Sequence, residues 1–139
     1  MKEIENVLSP VELEVGNQLH LQFEKRGGLL PVAVQESSTG QILMIASVNE
    51  AAVAYSLEHK RAAFYSVSRQ RMWVKGETSG NFLQLDKILV DCDQDALVYQ
   101  ITLVKGGVCH TFNESGENRK ACFYRSVDLE SSRLEFLEK

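Results

Sequence analysis

The sequence predicts an α+β fold: one domain built on a mainly antiparallel sheet, with one or two short helices. Three observations carry this expectation. Short runs rich in β-branched, leucine and aromatic residues recur between clusters of turn-forming residues. Only one segment shows a clear, capped pattern of helix length. The chain has 139 residues, 44% hydrophobic and 24% charged, which suits a single domain with its own core.

The elements follow in chain order. Ser9-Pro10-Val11-Glu12 has the form of a helix start, with Ser9 as N-cap, Pro10 at the first helical position and Glu12 closing a capping box. The alternation Val11, Leu13, Val15, then Leu19, Leu21, Phe23 argues equally for extended chain. Both readings stay open here. Lys25-Arg26-Gly27-Gly28 reads as a turn. Leu29 to Glu36 and Gln41 to Ala46 read as a hairpin across Ser37-Ser38-Thr39-Gly40, with Pro31 near the start, where a missing N–H is tolerated. Asn49 caps a helix from about Glu50 to His59, with Val53 and Leu57 on one face and Ala54 adjoining. Ala62 to Ser68 is strand-like. Arg69 to Asn81 breaks the pattern with basic residues and glycines. Phe82 to Val90 and Ala96 to Val104 are two strands joined through an acidic stretch. Gly106-Gly107 ends the second, Thr111 to Lys120 is loop-like, and Ala121 to Val127 is a last strand. Leu129 to Lys139 is a polar tail with helical character.

The formal net charge is −4. That argues against a broad nucleic-acid footprint but permits a local basic pocket. No apolar run approaches the length of a membrane span, and Met1 to Glu5 does not read as a signal peptide, so a cytoplasmic location is expected.

Asp91-Cys92-Asp93-Gln94-Asp95 sets three carboxylates around a thiol. If extended, the stretch points Asp91, Asp93 and Asp95 one way and Cys92 the other. Like charges this close repel by about 1 kcal/mol per pair even in water. A divalent cation relieves that repulsion. Carboxylates suit Mg²⁺ or Ca²⁺, whereas a thiolate suits Zn²⁺. A solvated acidic turn with an incidental cysteine is the plain alternative. An EF-hand is excluded, because Ala96 and Thr102 stand where its glycine and glutamate belong.

Cys92, Cys109 and Cys122 are too few and too odd in number for a disulfide framework in a cytosolic chain. Buried thiols or metal ligands remain. Trp73 to Asn81 suits anion binding: Gly76 and Gly80 let backbone N–H groups turn inward, and Lys75, Thr78, Ser79 and Asn81 add donors. Lys75 precedes the glycines, so this is not a Walker A loop. Trp73 suits a core or pocket wall rather than a chemical group. His110, beside Cys109, suits a fourth metal ligand or a general base. His20 and His59 lack such company and read as surface residues. Arg69 and Arg125 are candidate phosphate partners; Arg125 also suits pairing one of the aspartates, and equally suits a surface or strand-flanking position without such a role.

Taken together, Trp73…Lys75-Gly76…Thr78-Ser79-Gly80-Asn81, Asp91-Cys92-Asp93…Asp95, Cys109-His110-Thr111 and Cys122-Phe123-Tyr124-Arg125 resemble the phosphoribosyl-AMP cyclohydrolase family of histidine biosynthesis. Leu30 to Gln35 and Thr39-Gly40…Leu43-Met44…Ala46…Asn49-Glu50 are similar too. The resemblance implies one domain over 1–139, with a variable segment at 1–28, a family-like core at 29–126 and a polar tail at 127–139. It implies a homodimer with zinc held by Cys92 of one subunit and by Cys109 and Cys122 of the other, and magnesium at Asp91, Asp93 and Asp95. His110 would shuttle a proton. The small-molecule substrate would be phosphoribosyl-AMP, hydrolysed between N1 and C6 of the purine ring, with phosphate gripped by the glycine-rich loop and Arg69. Zinc suits that chemistry because it lowers the pKa of bound water, and three protein ligands leave its fourth position open.

The chain also departs from the family. Val67 stands where the family tends to have arginine in Ser-Arg-Ser-Arg, Ser47 where a ring is common, and Phe112 where glycine is common, in a longer loop between Cys109 and Cys122. These departures keep two alternatives: a related nucleotide hydrolase or deaminase, and a zinc-stabilised binding module without turnover.

Overall fold

The computed structural model describes residues 8–139, so the reading of Met1 to Glu5 lies outside the described residues. Ser9 opens helix α1 (Pro10–Val15) with a full capping box. Its hydroxyl accepts from Glu12 N at 3.1 Å, and Glu12 returns a carboxylate to Ser9 N at 3.0 Å. The capping chemistry therefore decides between helix and extended chain at this segment. A 3₁₀ turn at Glu24–Arg26 follows, closed by Gly27 in the left-handed region.

The main sheet has six strands: β1 (Leu30–Glu36), β2 (Ile42–Val48), β3 (Ala63–Ser66), β4 (Arg71–Val74), β5 (Leu83–Val90) and β6 (Leu97–Leu103). Their order is β4-β3-β2-β1-β6-β5. All neighbouring pairs are antiparallel except β1 with β6. Pro31 sits in β1 just before its parallel register with β6 begins at Val32, so its missing N–H removes nothing from that ladder. Helix α2 (Glu50–His59) starts at Asn49, whose side chain accepts from Ala52 N at 2.9 Å. It packs over β2, β3 and β4.

Alternation builds the core. Leu30, Val32 and Val34 of β1 and Leu97, Tyr99 and Ile101 of β6 are buried together with Leu43, Phe64 and Leu83. The Tyr99 hydroxyl lies 3.2 Å from Ser56 Oγ and donates to Ala63 O at 3.3 Å, tying α2 to the sheet. Burial pushes the Tyr99 phenol up to about 12.

Four sequence expectations change. On α2 the buried residues are Ala52, Val53 and Ser56, while Ala54 and Leu57 face outward; a hydroxyl-bonded serine takes the place expected of leucine. Arg71–Val74 is a strand, because Trp73 pairs with Phe64 in register and their rings pack 4.9 Å apart. The last strand of the expected core shortens to β7 (Arg125–Val127). The tail is not helical. It forms β8 (Leu134–Phe136), paired antiparallel with β7 across a turn in which Asp128 Oδ1 accepts from Glu130 N and Ser131 N. No helix among the described residues is long and apolar enough to cross a membrane.

Candidate functional site

The acidic stretch is a turn between β5 and β6, not an extended run. Gln94 takes φ 57°, Gln94 N donates to Asp91 O at 3.1 Å, and Asp91 Oδ1 accepts from Asp95 N and Ala96 N at 2.9 and 3.1 Å. The expected alternation therefore fails, but the turn itself brings the carboxylates together. One oxygen from each of Asp91, Asp93 and Asp95 lies within 4.8 Å of the others.

Two residues that sequence reasoning passed over reach this triad. Lys25 Nζ lies 3.0 Å from Asp93 Oδ2 and 2.9 Å from Asp95 Oδ2, and Arg26 Nη2 lies 3.1 Å from Asp95 Oδ2. The Lys25 hydrogen bond holds the Asp95 carboxyl well below the usual carboxylate range. Buried Gln94 fastens the same N-terminal segment. Its Oε1 accepts from His20 N at 2.8 Å, and its Nε2 donates to Leu13 O and Gln18 O at 3.2 and 3.1 Å. His20, expected at the surface, is half-buried in this contact, while His59 is exposed.

The glycine-rich loop lines a cavity of about 440 Å³ with Ser66, Arg69, Arg71, Trp73, Lys75, Gly76, Thr78 and Ser79. Arg71 and Ser66 join because the unexpected strand β4 pairs Arg71 with Ser66. Gly76, at φ 88°, has no room for a side chain: a Cβ would lie 2.3 Å from Asn81 C. The loop thus closes on itself, with Gly80 N donating to Gly76 O at 2.8 Å and Asn81 N to Ser79 Oγ at 3.2 Å.

Lys75 turns inward. Its Nζ donates to Val108 O at 2.6 Å, and burial pushes its ammonium down against the opposing influence of Cys122 and Cys109. Cys109 and Cys122 are close enough that each thiol acts on the ionisation of the other. Burial pushes the Cys109 thiol up, but the hydrogen bonds from the Thr111 side chain and backbone outweigh it and leave the thiol lowered. Cys122 is exposed, yet partial desolvation and the neighbouring Cys109 push its thiol up. Cys122 N donates to Leu43 O at 2.7 Å, which ties the second cysteine turn to β2.

Cys92 is exposed on the acidic turn. Among the described residues, the Asp91, Asp93 and Asp95 set is the only group of three metal-type donors that converges, so Cys92 does not join the other two cysteines within one chain. His110 is exposed on the turn after Cys109. Arg125 is exposed on β7 and lies over the Tyr124 ring at 5.2 Å.

These features define a class first: an α+β domain that carries a basic, glycine-lined cavity, a soft thiol pair beside the cavity's lysine and a hard carboxylate triad. The profile of the family described as phosphoribosyl-AMP cyclohydrolase matches residues 44–124. The chain is 39% identical over 119 residues to the phosphoribosyl-AMP cyclohydrolase of Chloroherpeton thalassium, covering 86% of this chain and 79% of that protein. It is 44% identical over 110 residues to the one from Methanoregula boonei, covering 79% and 83%. It is 45% identical over 120 residues to the histidine biosynthesis bifunctional protein HisIE of Caldanaerobacter subterraneus, covering 86% of this chain but 55% of that longer relative. The chain belongs to the phosphoribosyl-AMP cyclohydrolase family and is an enzyme of that family.

Proposed function

We propose that this chain hydrolyses phosphoribosyl-AMP in the cytoplasm, opening the purine ring between N1 and C6, as a homodimer that uses zinc and magnesium. The observation that carries the reading is the Cys109–Cys122 thiol pair held beside Lys75, a residue that also lines the basic cavity. Such a pair is the donor set that a soft or borderline cation prefers, and the triad of Asp91, Asp93 and Asp95 is the set that a hard cation prefers. Cys109 and Cys122 would hold zinc with Cys92 of the other subunit, which fits the separation of Cys92 from the pair within one chain. Phe123, Val127, Leu134 and Phe136 are each at least half exposed next to Cys122 or on the β7–β8 hairpin, which supports a partner covering that face. Zinc, when bound, would supply the Lewis acidity that makes water reactive near neutral pH.

The chain's own residues have separate tasks. Arg69, Arg71 and the N–H groups around Gly76, Thr78 and Ser79 would bind phosphate at the cavity. Gly80 and Asn81 hold the loop that presents those groups. Trp73 walls the cavity from β4. His110, exposed beside Cys109, would carry the proton between water and substrate. Arg125 would answer a second substrate phosphate from β7. Ultraviolet monitoring of purified protein with phosphoribosyl-AMP tests the reading. Turnover that stops with a zinc chelator and returns with zinc is expected. Absence of turnover in zinc- and magnesium-replete protein would contradict it.

A further inference from the structure

Thr111 holds the Cys109 sulfur, and Arg119 in turn holds Thr111. Arg119 Nη1 lies 3.2 Å from Thr111 Oγ1, and Thr111 Oγ1 lies 2.9 Å from Cys109 Sγ. Donor inventory fixes the direction. A guanidinium has donors only, so the Thr111 oxygen accepts from Arg119. As a thiolate metal ligand the Cys109 sulfur can only accept, so the single Thr111 hydroxyl proton is directed to it. Thr111 N adds a second donor to the same sulfur at 3.4 Å. Each link polarises the next, which strengthens a charge-assisted chain inside a partly buried site.

Arg119 is itself immobilised. Its Nη2 donates to Lys139 O at 3.1 Å and its Nε to Glu138 O at 3.4 Å. Its guanidinium lies 4.1 Å from the Tyr124 ring centroid and 5.7 Å from that of Phe136. The backbone of the same turn is clamped separately, with Cys109 N donating to Arg119 O at 3.0 Å and Asn118 Nδ2 to Cys109 O at 3.1 Å. The main-chain contacts thus set where Cys109 sits. The Arg119–Thr111 contacts act on where its sulfur points.

We propose that Arg119 and Thr111 form a hydrogen-bond relay that positions the Cys109 sulfur as a metal ligand, with the C-terminal hairpin as the anchor of the relay. This rests on the thiolate site proposed above. Thr111 and Arg119 are positioning residues, because they act on the site only through Cys109. Groups that orient metal ligands are typically worth 10- to 100-fold in metal affinity.

The test uses the full chain and zinc itself. Thr111→Val keeps the shape and removes the hydroxyl, while Thr111→Ser keeps the hydroxyl. Zinc affinity is measured by competition with a chromophoric chelator, and the cobalt-substituted protein reports sulfur-to-metal absorption. Thr111→Val is expected to weaken zinc about 10- to 100-fold and to change the cobalt band, with Thr111→Ser restoring both. Arg119→Gln should weaken zinc on its own but add little to Thr111→Val, since both act along one chain. Wild-type zinc affinity and cobalt absorption in Thr111→Val would overturn the relay. So would full additivity of the two substitutions. If Thr111→Val does not fold, Arg119→Gln compared with Thr111→Ser carries the same decision. Cys109→Ser is the control: retention of zinc there removes the thiolate site itself, a result separate from failure of the relay.

Discussion

Replacing Gly76 with alanine is expected to destabilise the protein by about 2–5 kcal/mol, in two parts. At φ 88° a side chain pays roughly 1–2 kcal/mol for the left-handed backbone. The added Cβ also meets Asn81 C at 2.3 Å, Phe82 N at 2.4 Å and Asn81 O at 2.6 Å, all backbone atoms that cannot rotate away. Overpacking of that kind costs about 1–3 kcal/mol more. Gly80 is the internal control. It shares a positive φ of 80°, yet a Cβ there meets nothing within 4 Å, so Gly80→Ala should lose only the backbone part, about 1–2 kcal/mol. Urea unfolding reads both variants, and with a slope of about 2 kcal/mol per molar, Gly76→Ala should lower the midpoint by about 1–2.5 M. Since Gly76 lines the cavity, its KM for phosphoribosyl-AMP should rise as well. Equal midpoints for the two variants would refute the close approach between Gly76 and Asn81.

Lys25→Gln should destabilise the protein at neutral pH and lose that effect in acid. Because Asp95 is depressed in the folded state, its contribution is present above the ordinary carboxylate pKa of about 3.9 and is lost as pH falls through the folded value. Urea midpoints of both proteins from pH 7 down through the acid range check this: the gap should begin to narrow below about pH 4 and shrink steadily with further acid, and a gap of constant size would assign the effect elsewhere. Cys109→Ser and Cys122→Ser should each lose bound zinc by metal analysis, whereas zinc retained in both would remove the thiolate site. Asp93→Asn should demand more magnesium for activity while keeping its zinc, because carboxylates and thiolates serve different ions; unchanged activity at limiting magnesium would place the hard site elsewhere.

The hairpin of β1 and β2, the Asn49 cap and the β5–β6 pair were legible because their signals are local: alternation, one side chain and turn residues. The glycine-rich cavity loop was legible for the same reason. The acidic turn was legible as the link between two strands and as one of two readings of its residues, but what holds it was not. Its chain reversal comes from Gln94 at positive φ and from buried bonds of the Gln94 side chain to residues up to 81 positions away, which no local pattern reveals. Lys25 and Arg26 were hidden by that same distance. Strand β4 was masked by its basic residues, since Arg71 and Trp73 gain their place from partners on β3. The β8 hairpin had a usable signal in Asp128 followed by serines and the Leu134-Glu135-Phe136 alternation, which outweigh weak helix propensity when β7 is there to pair.

The proposed active site takes its thiolates from two copies of the chain. Cys92→Ser and Cys109→Ser should each be inactive alone. Mixed under conditions that exchange subunits, they place both lesions in one site of each mixed dimer and leave the other site intact. Half the dimers in a random mixture are mixed, and each has one intact site of two. The expected recovery is therefore about a quarter of wild-type phosphoribosyl-AMP turnover per chain, by the symmetry of a two-fold dimer. Confirmed exchange with no return of activity would contradict the account.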